Sequence, residues 1–182
     1  MASALNSFGP GEFIAPFVEE LLKAGGVIVV LRCLRGTVTP IRGFAIGLTV
    51  GAAFEAYENV LYVLIPDTPP EAGAEAADAL HTAVARLLVG FGLHAVTTSL
   101  VGAAIGYAIC RTGRAFARFS LAALAGAIAI HLVWDVADDL AGAAVPLRIV
   151  DYLVIIAVFV YTRRWSLKRS RTWARTESGD SR

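Results

Sequence analysis

The chain has 182 residues, of which 57% are hydrophobic and 17% charged, with a net charge of +1 at pH 7 and a mean hydropathy of +0.65. An ordinary soluble domain is about 45–50% apolar and about 25% charged, so this composition excludes a disordered chain and argues against a soluble globule. The balanced charge excludes a whole-chain field for nucleic acid, and the two cysteines, Cys33 and Cys110, are too few for a disulfide framework or a zinc module.

Five apolar stretches follow one another along the chain: Phe13–Leu31, Gly43–Ile65, Leu87–Cys110, Phe119–Ala137 and Val145–Thr162. A bilayer core of about 30 Å takes about 20 such residues in a helix, and single strands cannot cross lipid. The expectation is an all-α polytopic transmembrane bundle of about five spans over residues 1–162. A basic cytoplasmic tail follows over 163–182, disordered toward its end. The first stretch has no basic segment before it and reads as a retained helix rather than a signal peptide. The fifth is the weakest, because Arg148 and Asp151 interrupt its first turns. Between the second and third lies the acidic, Pro-rich segment Pro66–Ala85, whose second half suggests a short surface helix.

The charges sort by side. Arg32, Arg35 and Arg42 follow the first span, Arg111, Arg114 and Arg118 the third, and seven more basic residues from Arg163 to Arg182 the fifth. The opposite side carries one, Arg148, among acids such as Asp67, Glu71 and Asp138. This asymmetry places the N-terminus outside and the tail in the cytoplasm. The location it implies is the cell membrane, with the lipid bilayer as an obligatory partner and no role for nucleic acid. Trp134 reads as part of the outer aromatic belt.

Charge inside a span costs several kcal/mol and marks function by default. Four spans carry it. The first has Glu19, Glu20 and Lys23; the second Glu55, Glu58 and Asn59; the third His94, with Arg86 at its mouth; the fourth His131 and Asp135. At 1.5 Å rise per residue, Glu19, Glu58, His94 and His131 lie roughly 9–12 Å below the same surface. Lys23 stands i+4 from Glu19 and i+3 from Glu20, so it can pair with either. Gly43, Gly47 and Gly51 form a ridge for close helix packing, and Glu58, seven residues on, shares its face. Each cluster alone could be a structural ion pair or hydrogen-bond node. Together they assemble acids and imidazoles at one level.

Such a set can activate water. A buried Glu serves as base and then acid, and a His with an acid or amide can hold an oxyanion. With a divalent metal such as zinc, His94, His131 and a carboxylate form a site with an open position for water. Two other classes use the same residues: a proton- or ion-coupled carrier, and a non-catalytic membrane scaffold whose polar groups only fix helix register.

EELLK at Glu19–Lys23 resembles the EExxK motif of the PrsW-type intramembrane proteases, relatives of the prenyl-protein (CAAX) and bacteriocin-processing membrane proteases. FEAYEN at Phe54–Asn59, HAVTT at His94–Thr98 and HLVWD at His131–Asp135 resemble the family's later motifs, in the same order. Asp135 stands where the family often has Asn. The resemblance implies an endopeptidase that cuts membrane-anchored substrates near the outer face, an anti-sigma factor being the best-known kind. It implies catalytic roles for Glu19, Glu20, Glu58, His94, His131 and Asp135, with Lys23, Glu55, Asn59 and Arg86 in support. His94 and His131 are the ligands if a metal takes part, and the glutamate-dependent and metal-dependent mechanisms both stand.

Overall fold

The computed structural model describes residues 10–65, 77–81, 83–84, 92–139 and 144–177. Arg86 lies outside them, as does most of the segment between the second and third spans; residues 77–81 within that segment are helical. Among the described residues the fold is entirely helical.

Five long helices make the bundle: α1 (Pro10–Cys33), α2 (Pro40–Leu64), α3 (Leu93–Thr112), α4 (Arg118–Asp139) and α5 (Ala144–Glu177). Their ends follow local chemistry. Thr39 caps α2, its Oγ1 accepting from the Arg42 N–H, and Pro40 fills the first turn, where its missing N–H costs nothing. Gly113, at φ 69°, closes α3 by donating its N–H to Ile109 O. α5 runs through residue 162 without a break because no Gly or Pro stands between Pro146 and Gly179.

Three of these helices, α3, α4 and α5, are long and apolar enough to cross a membrane. α1 and α2, at 24 and 25 residues, have the length, but they carry acids and a lysine in mid-helix. α1 explains the pattern: Glu20, Lys23, Ala24, Val27 and Leu31 are buried, whereas Phe17, Leu21, Leu22 and Val29 are exposed. Polar groups inside with large apolar groups outside is the arrangement lipid favours and water does not. α5 likewise exposes Val145, Ile149, Leu153 and Ile156.

α3 is the central helix and touches all four others. Its closest neighbour is α2, against which the expected glycine ridge packs. Gly43 lies on the Gly102 carbonyl, Gly47 on Thr98 and Gly51 on the His94 carbonyl, so that an added Cβ would overlap backbone at each. An apolar core of Val27, Leu31, Ile46, Val101, Ile105 and Leu124 fills one half of the bundle. The other half contains the polar residues. Trp134 does not join an outer belt as expected. It is buried, edge-on to Tyr152 at 5.3 Å, with the Arg148 guanidinium 4.5 Å over its ring.

Candidate active site

Glu20 is the hub. Its position on the buried stripe of α1 leaves its side chain 0% exposed, so each lone pair of its Oε1 must find a donor. Lys23 Nζ lies 2.7 Å away and His131 Nδ1 3.1 Å away, with Thr97 Oγ1 donating from α3 at 3.4 Å. The Thr97 hydroxyl is therefore shared between its own helix, at His94 O, and the site. Glu19, about 100° further round α1, is 22% exposed and lies 3.9 Å from Lys23. One acid thus pairs tightly with the lysine and the other faces the opening.

Lys23 is almost fully buried between these acids and His94, which it contacts at Nδ1 over 2.7 Å. An ammonium only donates, so His94 Nδ1 accepts and the proton sits on Nε2. That proton points at Glu58 Oε2, 2.7 Å away. The ring is also packed edge-on against Phe54 at 5.2 Å, over whose face Lys23 lies at 4.6 Å.

His131 is oriented the opposite way. Because Glu20 accepts at Nδ1, a proton belongs there, and Nε2 is turned toward two carboxylates. These are Glu19 Oε2 at 3.7 Å and Asp135 Oδ1 at 3.6 Å. Asp135 comes from the next turn of α4 and is 30% exposed. The two imidazole rings meet at 4.8 Å, tilted by 74°. Glu19, Glu20, Lys23, Glu58, His94, His131 and Asp135 are thus brought together from α1 to α4.

Glu55 and Asn59 stand beside this cluster rather than in it. Glu55 is buried, and its Oε1 accepts the Gly92 N–H at the head of α3 over 2.8 Å. Asp151 is a buried acid on α5 that the sequence reading passed over as a flaw in the fifth span. Its signal was its spacing: Ile155, one turn on, packs with Leu93, Val96 and Trp134, so Asp151 shares the inward face.

The donor set suits a divalent cation. Glu19, His94 and His131 each offer an atom, all within 4.8 Å of one another. Glu19 Oε2 is buried without a hydrogen bond, and its spacing from His131 Nε2 approaches the roughly 3.3 Å that separates two ligands of a tetrahedral zinc with bonds of about 2.0–2.1 Å. The Glu20 bond to His131 Nδ1 is the outer contact that fixes a metal-binding imidazole. His94 joins such a set by exchanging its bond to Lys23 or Glu58 for the cation. Glu19 is thus the carboxylate that joins the two histidines, in the two-His, one-acid set expected from sequence.

A family model described as PrsW family intramembrane metalloprotease matches residues 7–162, which contain every residue of this cluster. No curated protein and no solved structure matches the chain.

Proposed function

The chain belongs to the PrsW family of intramembrane metalloproteases, and from that premise we propose that it is an endopeptidase whose hydrolytic centre is the α1–α4 cluster. The observation that carries this reading is His131. Its Nδ1 is fixed by a buried glutamate, and its Nε2 faces Glu19 and Asp135 beside a second imidazole. A proton-coupled carrier could use the same pairing, and the family match is what favours the peptidase.

A divalent metal such as zinc, held by Glu19, His94 and His131, would polarise the scissile carbonyl and lower the pKa of water. The chain's own groups do the rest. Glu20 keeps a His131 proton on Nδ1 and turns Nε2 toward Glu19 and Asp135, where it would bind the metal. Glu19, the more exposed of the α1 acids, would lend Oε2 to that site and take the proton of the attacking water on its other oxygen. Glu58 and His94 hold a second proton between them, from which the leaving amine is protonated. Asp135 steadies His131 from its own helix, and Lys23 balances the buried negative charge.

Five spans, an external N-terminus and a cytoplasmic C-terminus fit both the charge asymmetry and the lengths of α1–α5. In that orientation the cluster lies near the outer face of the cell membrane. The substrate is then a membrane-anchored protein cut near its outer end, and an anti-sigma factor meets that description. The kinship with prenyl-protein proteases rests on the four motifs.

The test is purified protein in liposomes with a panel of membrane-anchored peptides, the products read by mass spectrometry. Cleavage at the outer edge of an apolar stretch, lost on His131→Ala, is the expected result. Cleavage that survives substitution of Glu19, Glu58, His94 and His131 would remove the proposal.

A further inference from the structure

α2 and α5 are pinned together at one end and splayed at the other. Phe44 packs on Phe159 at 5.6 Å, and the Ile41 N–H donates to Ser170 Oγ at 3.0 Å. Toward the site the two helices part around a cavity of about 720 Å³, within the range that holds a sizeable ligand group. Its walls are mostly apolar, with Ala52 and Ala56 on α2, Ala95 on the α3 floor and Ile156 on α5. Ala52, Ala56 and Ile156 are exposed, so the cavity opens sideways between the helices.

Glu55 is the acid that lines this cavity, and one of its oxygens is not fully explained by the fold. The residue is only 7% exposed. Its Oε1 is satisfied by Gly92, and the Ala95 N–H is also near the carboxylate, but its Oε2 is buried with no hydrogen bond of good geometry. An acceptor short of a well-aligned donor in apolar surroundings is costly, so Oε2 has room for a donor from outside the chain. Glu58, which holds His94, stands one turn further along α2.

The proposed reaction supplies such a donor. A membrane-spanning helix hides its carbonyls in its own hydrogen bonds, so a protease must unwind it to reach one. Unwinding frees a backbone N–H that lipid cannot satisfy. We propose that the α2–α5 cleft is the side-chain subsite for the unwound substrate: it takes a bulky apolar side chain, and Glu55 Oε2 accepts that residue's backbone N–H. The inference rests on the peptidase reading and names Glu55 as a positioning residue and Ala52 and Ala56 as determinants of side-chain size.

The test uses full-length protein in nanodiscs and a dye-labelled synthetic membrane-spanning peptide. A single Phe is walked through its otherwise small-residue apolar stretch, with binding read by fluorescence and cutting by mass spectrometry. One Phe position beside the cut should bind tightest. Ala52→Phe fills the cleft and should cut the preference for Phe over Ala by about tenfold. Glu55→Gln keeps its carbonyl on the Gly92 N–H, so the fold survives, and turns an amide donor toward the cleft. It should raise KM and weaken Phe-peptide binding by about tenfold. N-methylation of the Phe should cost native protein as much and add nothing in Glu55→Gln. Binding with all these effects but no cutting would remove the peptidase reading and leave the cleft standing. Cutting without a Phe preference, N-methyl and Glu55→Gln effects that multiply, or no binding at all would overturn the subsite.

Discussion

Gly51→Ala tests how the bundle aligns its reacting groups. Gly51 rests on the backbone of α3 at His94, and an added Cβ would lie 2.7 Å from Ala95 Cα and closer still to the His94 carbonyl. Ordinary contact for a Cβ begins at 3.4 Å. Both obstructing groups are backbone, so no side chain can swing aside, and the helices must part by about 0.7 Å or more. Glu58 and His94 ride on those two helices, joined by a 2.7 Å bond. The same displacement stretches that bond to about 3.4 Å, at the weak end of the hydrogen-bond range. Overpacking costs about 1–3 kcal/mol, and weakening a charge-assisted bond worth about 1.5–3 kcal/mol costs up to that much more, so a loss of at least about 1 and at most about 6 kcal/mol is expected. Thermal unfolding in detergent measures it, with Gly25→Ala as the control, since nothing lies within 4 Å of a Cβ there. If Gly51→Ala melts no lower than Gly25→Ala, the close α2–α3 contact and the register argued from it are wrong.

Lys23→Met keeps the stem's volume but removes the only ammonium between Glu20 and His94. Stranding a buried carboxylate costs about 3–5 kcal/mol, visible as a lower melting temperature, and Lys23→Arg should not restore it, because a planar fork cannot meet both partners as a point charge does. Exhaustive chelation should abolish cleavage and lower the melting temperature, and added zinc should restore both. Retention of full activity in metal-free protein, checked by elemental analysis, would favour a purely glutamate-dependent reaction.

Much of the site was readable in sequence because lipid makes polar residues conspicuous. Glu20, Glu58, His94 and His131 stand out in apolar runs, and the four-residue spacing of Gly43, Gly47 and Gly51 marks the face on which Glu58 lies. The division of labour between Glu19 and Glu20 was not readable. They point about 100° apart, and only the rotation of α1, set by Ala24, Val27 and Leu31 packing inward, decides which is locked and which is partly exposed. Glu55 was hidden for another reason: its partner is a backbone N–H at the start of α3, which has no letter in the sequence. Trp134 was misread because belt and core aromatics look alike until the neighbouring helix is placed.

The central claim is that Glu19, facing His131 Nε2 across 3.7 Å, activates the water that cuts the substrate. The most direct measurement is the single-turnover cleavage rate of Glu19→Gln beside its melting temperature. A fall of about 10²–10⁴-fold in folded protein that still carries its zinc is the predicted result. A native rate in a folded Glu19→Gln protein would contradict it.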